Sequence, residues 1–203
     1  MRTRSTIMQG LVLIMAATFL ASCAAMTPKP TQQNFKAPVV TLDHVEVAHY
    51  WGWWYFKKSV KPTVGDAGNY GAPMDLAFVF NIQNPNDYPV MMETLKFTVA
   101  FEEFDLNTVS APETQWIPAG KTNQLRVHAM FDVRQSLLSL LVTGGFKLQE
   151  KGMGAGAGAA FKQLGAWWKG APQFAFPINV KEGSAIFKAD GLTTITTFGG
   201  TFP

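Results

Sequence analysis

The chain has 203 residues, of which 47% are hydrophobic and 15% charged, with a formal net charge of +3 and a single cysteine. That length and apolar content support one domain with a sizeable core, and a lone cysteine excludes disulfides within the chain. So small a charge excess does not support nucleic-acid binding.

At the N-terminus Arg2 and Arg4 precede an apolar run from Leu11 to Leu20, and small residues then lead to Cys23. Charged, apolar and cleavage regions in that order are the layout of an export signal. The run is about ten residues, half of the roughly 20 needed to cross a bilayer, so it reads as a removable leader. Leu20-Ala21-Ser22-Cys23 resembles the lipobox of bacterial lipoproteins, which implies cleavage before Cys23 and lipidation of its thiol. Residues 1–22 are then the signal peptide, and losing Arg2 and Arg4 leaves 181 residues with a net charge of +1. Ala24, in place of an aspartate, implies under enteric-type sorting an outer-membrane anchor facing the periplasm. Residues 23–37 form the lipidated N-terminus and a tether, because Pro28, Pro30, Thr31, Gln32, Gln33 and Asn34 show no apolar period. Fully extended, the stretch after Cys23 would reach about 45 Å.

From Pro38 the hydropathy alternates. Val40, Leu42 and His44, then the offset Val45 and Val47, predict a first strand with a bulge where the parity shifts. Leu76, Phe78, Phe80 and Ile82 predict a second; Leu95, Phe97, Val99 and Phe101 a third, followed by turns at Asn107 and Ala111-Pro112 and a short segment to Ile117. A further strand places Leu125, Val127, Ala129 and Phe131 inward and Arg126 and His128 outward. Asp132 is placed to cap a helix, with Gln135 three residues on, an apolar stripe of Val133, Leu137, Leu140 and Leu141, and Gly144-Gly145 as the stop. Residues 149–172 form a Gly/Ala-rich insertion, expected to be flexible over 151–160, with a short helix to Trp168. Two last strands are expected around 174–180 and 184–190, joined by a hairpin at Lys181-Glu182-Gly183, with an edge strand after Leu192. The fold class is mostly β: an antiparallel β-sandwich, immunoglobulin- or fibronectin-like, of about seven strands with one or two short helices. It fills a single domain, residues 38–203.

Asn84-Pro85-Asn86 is the most specific internal motif. Proline fixes its own φ and forces Asn84 extended, Asn86 can close an Asx turn, and Pro89 blocks ladder pairing until Val90. On residues alone this is a well-made structural turn. In order along the chain come Pro38-Val39-Val40-Thr41-Leu42-Asp43-His44-Val45, the run from Phe80 through Asn84-Pro85-Asn86 to Val90, Leu95-Lys96-Phe97, and Ile117-Pro118-Ala119-Gly120 before a strand. This order resembles the late embryogenesis abundant group 2 family, whose domain is called WHy, for water stress and hypersensitive response. The resemblance covers about residues 38–142. It implies a folded β-sandwich with one helix and a role in desiccation or other stress, with no catalytic residue. Tyr50 to Lys61, strongly aromatic, and the 149–172 insertion depart from the family's pattern.

Nothing in the chain points to an enzyme. His44, His49 and His128 are the only histidines, no Cys/His cluster has metal spacing, and no nucleophile elbow occurs, so neither metal nor cofactor is expected. Glu102, Glu103 and Asp105 read as a solvated strand end sooner than as a cation site. Gly152 to Gly158 has no strand before it and no Gly-Lys-Ser/Thr ending, so it is no phosphate loop. The unusual chemistry is aromatic: Trp51, Trp53 and Trp54 run into Lys57 and Lys58, and Trp167-Trp168-Lys169 repeats the composition. Indoles and ammonium groups suit a membrane interface or an apolar ligand; alternatively, the aromatics pack into the core. The expected function is that of an anchored, non-enzymatic envelope lipoprotein that binds or shields envelope components under stress. The alternative is a lipid or apolar-ligand module, with sixteen Phe and nine Met lining a groove. Expected partners are the membrane, through the N-terminal lipid, and a lipid or envelope protein.

Overall fold

The computed structural model describes residues 28–53 and 71–203. Cys23, the signal peptide, and Trp54, Lys57 and Lys58 lie outside them. The elements are β1 (Val39–Tyr50), β2 (Met74–Gln83), β3 (Val90–Phe101), β4 (Phe104–Ala111), β5 (Gln115–Ile117), β6 (Thr122–Phe131), α1 (Val133–Thr143), α2 (Gly145–Glu150), α3 (Gly156–Gly170), β7 (Ile178–Ala189) and β8 (Leu192–Phe202). One sheet has the order β1-β2-β6 and the other β4-β3-β7-β8, with β5 also on β3; every pairing is antiparallel. The mostly-β sandwich expected from alternation is the fold, with eight strands among the described residues.

Alternation explains the inner faces. In β6 Leu125, Val127, Ala129 and Phe131 are buried while Arg126 and His128 face out, and in β3 Leu95, Phe97, Val99 and Phe101 are buried. The two faces meet through Phe78 and Phe97 (ring centroids 5.2 Å apart), Phe80 and Phe97 (5.1 Å) and Phe80 and Phe198 (5.4 Å). Each buried ring contributes about 1.5–3 kcal/mol over an exposed one. Here these phenylalanines fill the space between the sheets. β2 breaks the alternation, since Ala77 and Val79 on its outer face are also buried. Their cross-strand partners are Glu46 and His128 for Ala77, and His44 and Arg126 for Val79, and these long polar side chains roof the small ones. β1 carries the expected irregularity between Leu42 and His44, and a second between Val47 and His49.

Four local expectations need correction. Asn107 is no turn but lies inside β4; the chain reverses at Glu102-Glu103, where Glu102 takes φ 54°. Lys181-Glu182-Gly183 is a bulge within β7 instead of a hairpin, and a Cβ on Gly183 would fall 2.5 Å from the Phe198 ring. The hairpin turn is Asp190-Gly191, with φ 46° and 81°, the left-handed pair that suits strand twist. The Gly/Ala insertion is largely ordered, because α3 begins inside it and buries Ala160, Leu164, Trp167 and Trp168. Asp132 does cap α1, its Oδ1 accepting from the amides of Arg134 (2.8 Å) and Gln135 (3.2 Å), and Gly144 does end it. Yet the stripe is narrower than expected: Val133 and Leu140 are buried, Leu137 is half-buried and Leu141 faces out.

The sandwich therefore has two unlike ends. The ends of β1, β3 and β6 and the start of β7 meet the three helices. The starts of β1, β3 and β6 meet residues 31–36 and the Asn84-Pro85-Asn86 loop.

Candidate functional site

At the helical end, β1 delivers Tyr50, Trp51 and Trp53 to the side of α3. The Tyr50 hydroxyl donates to the Trp168 carbonyl at 2.6 Å, and burial pushes its pKa up. Trp168 is fully buried, with Nε1 donating to the Ala72 carbonyl at 2.7 Å. Trp167 sits edge-on to Phe101 at 5.8 Å and donates from Nε1 to Glu102 Oε1 at 3.3 Å. These two tryptophans are core residues, which corrects their reading as a second surface contact.

Trp53 is half-buried. Its indole lies over Gly165, where a Cβ would come within 3.2 Å, and beside the rings of Phe161 (4.9 Å) and Trp168 (6.5 Å). Trp51 stays 47% exposed. Around them open two shallow cavities: one of about 680 Å³ lined by Tyr50, Trp51, Trp53, Lys169 and Pro172, and one of about 470 Å³ lined by Trp53, Phe161, Lys162, Gly165 and Lys169. Trp53 and Lys169 are common to both. Of the residues expected to form a membrane or ligand contact, Trp51 and Trp53 come together here, and Trp54, Lys57 and Lys58 lie outside the described residues. Lys162 and Phe161 were missed, although Phe161, Leu164, Gly165 and Trp168 already show helical spacing with one small residue where a ring lands. The described lining offers indole faces and two ammonium groups, and holds no His, Cys, Ser, Asp or Glu. Such a surface can bind an amphipathic or anionic apolar group.

The opposite end is built from amides. Buried Asn84 donates from Nδ2 to the carbonyls of Tyr88 (2.8 Å), Ile117 (3.1 Å) and Pro118 (3.1 Å). Its Oδ1 accepts from the Asn86 amide (3.0 Å) and from Asn86 Nδ2 (2.9 Å). The Asx turn thus belongs to Asn84, not Asn86. Asn86 turns its side chain to the backbone of Lys36, accepting at 2.9 Å and donating at 2.8 Å, and Tyr88 donates to Asn34 at 3.1 Å. Asn84, Pro85 and Asn86 form a structural hub that fastens residues 34–36 to two loops.

Across the outer face of the β1-β2-β6 sheet runs a polar chain: Asp43 to His44 (2.7 Å), His44 to Glu46 (3.2 Å), Glu46 to Arg126 (2.9 Å), Arg126 to His128 (2.5 Å) and His128 to Asp75 (2.7 Å). Hydrogen bonds from Asp43 and then Glu46 raise the His44 pKa, and the Arg126 bond lowers that of Glu46. Among the described residues no three His, Cys, Asp or Glu gather as metal ligands. The acidic group after β3 is dispersed: Glu102 serves Trp167, Glu103 pairs with Lys151, and Asp105 with Lys181.

No family model matches the chain. No curated protein matches it either. Solved structures with a similar outline include a protein from Archaeoglobus fulgidus, with TM-score 0.39 and 7% identity, covering 79% of this chain and 94% of that one. A candidate ApaA protein from Bordetella pertussis gives TM-score 0.38 and 10% identity, covering 83% and 97%. The solution structure of a candidate late embryogenesis abundant protein gives TM-score 0.24 and 12% identity, covering 100% and 87%. At these values the likenesses bring neither a family nor an activity to this chain.

Proposed function

We propose that this chain is a non-enzymatic lipoprotein of the bacterial cell envelope, held by a lipid on Cys23 and built on a WHy-type domain. Its work is to bind or shield envelope components under desiccation or related stress, from an outer-membrane anchor facing the periplasm. The observation that carries the reading is the surface at the helical end, where Trp51 and Trp53 meet Lys162 and Lys169 on a sandwich whose interior is already filled. Amphipathic indoles beside exposed ammonium groups favour interfacial contact over bond-making chemistry. The order of motifs around Asn84-Pro85-Asn86 supports the family reading independently of that surface.

A second reading, a lipid or apolar-ligand module, is favoured by the cavity volumes, which fall within the range of about 300–1,000 Å³ usual for small-molecule sites. The ligand would then lie outside the sandwich, against Trp53. Native mass spectrometry of the protein extracted in mild detergent separates the two. The expected spectrum is a polypeptide beginning at Cys23, carrying its covalent lipid and nothing else. A stoichiometric co-purifying lipid would favour the second reading, and an unmodified Cys23 would remove the anchor. A deletion strain that dries and recovers like its parent would sink the stress role.

A further inference from the structure

His44 and His128 share the outer face of the β1-β2-β6 sheet in opposite proton states, and their neighbours dictate which. Both ring nitrogens of His44 face carboxylates, Asp43 Oδ2 at 2.7 Å and Glu46 Oε1 at 3.2 Å, so the ring donates twice and is an imidazolium. His128 meets a carboxylate at one nitrogen only. Its Nδ1 lies 2.7 Å from Asp75 Oδ2, while its Nε2 lies against Arg126 Nη1. A guanidinium has no acceptor, so Nε2 must accept and the ring proton must be on Nδ1. His128 is therefore neutral.

Its two partners favour different proton states. Asp75 is 8% exposed, and among the described residues its Oδ1 has no hydrogen-bond partner. A buried carboxylate is thus held by one neutral N–H, and a positive charge on His128 would stabilise it. Arg126 acts the other way, since an imidazolium offers no lone pair and repels the guanidinium. Arg126 also has a second anchor: its Nε and Nη2 each lie 2.9 Å from Glu46 Oε2. The side chain is half-exposed, so it can leave the ring and keep the carboxylate.

Among the described residues, the titratable and charged groups on this face are Asp43, His44, Glu46 and His49 on β1, Asp75 on β2 and Arg126 and His128 on β6. His49 is exposed and lies directly across from Asp75 in the register. Three carboxylates therefore face two cations, His44 and Arg126, and a proton on His128 makes the two signs equal.

We propose that His128 is a proton-operated latch on the outer sheet face. Neutral, it holds Arg126 through Nε2; on taking a proton from solvent at Nε2, it pairs with Asp75 as an ion and releases Arg126 to Glu46. Histidine is the side chain that ordinarily changes charge between about pH 5 and 8, so mild acid operates the latch. Release also draws Arg126 away from Val79, its cross-strand partner, and cancels the excess negative charge of the face. The latch rests on neither the lipid on Cys23 nor the surface at Trp53.

The test is an NMR titration of the isotope-labelled full chain, read at the ring nitrogens of His128 and at Nε of Arg126, with His44→Gln and His49→Gln assigning the rings. At about pH 8 His128 should carry its proton on Nδ1 and leave Nε2 bare. On acidification the Arg126 signal should move in step with protonation at Nε2. At a fixed pH of about 6.5, Arg126→Met should raise the ratio of charged to neutral His128 at least about three-fold, and Asp75→Asn should lower it at least about three-fold. Opposite shifts are what two competing partners give, and a merely structural contact would produce neither. Near-UV circular dichroism checks the fold of each variant; because Arg126 is half-exposed, its variant decides the matter even where Asp75→Asn does not fold. A proton on Nε2 at about pH 8, an Arg126 signal that stays put while His128 protonates, or a ratio left unchanged or lowered by Arg126→Met would each overturn the proposal.

Discussion

The two ends of the sandwich are closed by different physics. The helical end is held by volume: Trp167 is buried among Phe101, Phe104 and Phe176, and Trp168 is buried beside Trp53, which leans on a glycine. The tether end is held by direction, with Asn84 and Asn86 satisfying carbonyls and amides of three separate segments. Each end is also latched by a tyrosine whose hydroxyl pKa burial raises, Tyr50 at one and Tyr88 at the other. Rings are non-directional, so the helical end can leave flat faces and shallow cavities open to solvent. An amide hub has no such freedom, because a single displaced loop strands several buried partners at once. Binding surface therefore collects where packing is aromatic, and fixed geometry where packing is polar.

The strongest way to break this comparison is Trp168→Ala. It empties the centre of the helical end and leaves the Ala72 carbonyl without its donor, so urea unfolding should show a loss of about 3–5 kcal/mol. Trp51→Ala, on the exposed rim, should cost no more than about 0.5 kcal/mol. A loss below about 1 kcal/mol for Trp168→Ala would mean that the helices decorate the fold without sharing its core.

Asn84→Ala tests the other end and should cost about 2–3 kcal/mol, since buried carbonyls lose a donor and the Asn86 amide loses its acceptor. Asn86→Ala should cost about 1–2 kcal/mol and act locally. Hydrogen exchange should then quicken at Lys36, whose amide is bound to Asn86, while tryptophan fluorescence from the helical end stays the same. If exchange spread instead to α3, the two ends would be one cooperative unit and the contrast between them would fail.

How much of this was legible beforehand follows the same division. Period-two alternation located β2, β3 and β6, because each buries one face continuously, and Asp132 announced α1 through its side chain. The turn at Glu102-Glu103 was not legible, since neither residue is a usual left-handed former and Asn107 offered a stronger but false signal. Lys181-Glu182-Gly183 carries hairpin composition, and only the register of β3 and β8 on either side makes it a bulge. The helix running to Trp168 was legible, but composition hid its first turn, because glycine and alanine over 156–160 predict flexibility until Trp167 and Trp168 find a core to enter. At the candidate site the aromatic residues were legible as chemistry but not as place. Trp53 and Trp168 are distant in sequence and alike in type, and only the fold puts one at the surface and the other inside. On α1 periodicity chose the right face, burying Val133 and Leu140 and half-burying Leu137, and erred only at Leu141, which lies at the edge of that stripe and faces out.

The smallest expected effect belongs to neither end, and it tests whether the middle of the molecule is independent of both. His44 lies on the outer sheet face between Asp43 and Glu46, and its pKa is raised above the ordinary 6.5 by those bonds, Asp43 first. A raised folded value means that the stabilisation is complete below about 6.5 and is lost as pH rises through the folded pKa. Glu46 is lowered below its ordinary 4.5, chiefly by Arg126 and then by His44, so its contribution is complete above about 4.5 and is lost as pH falls through its folded value. Both contributions are therefore full only between about pH 4.5 and 6.5, a shallow optimum that screening by solvent keeps small. NMR titration should place His44 above 6.5, and Glu46→Gln should bring it down towards that value while Arg126 loses its partner. The amides of Lys36 and the indole of Trp53 should not respond. A chemical-shift change at either during the His44 titration would show that the polar roof over Ala77 and Val79 transmits charge to the ends, and the separation of the two poles would have to be abandoned.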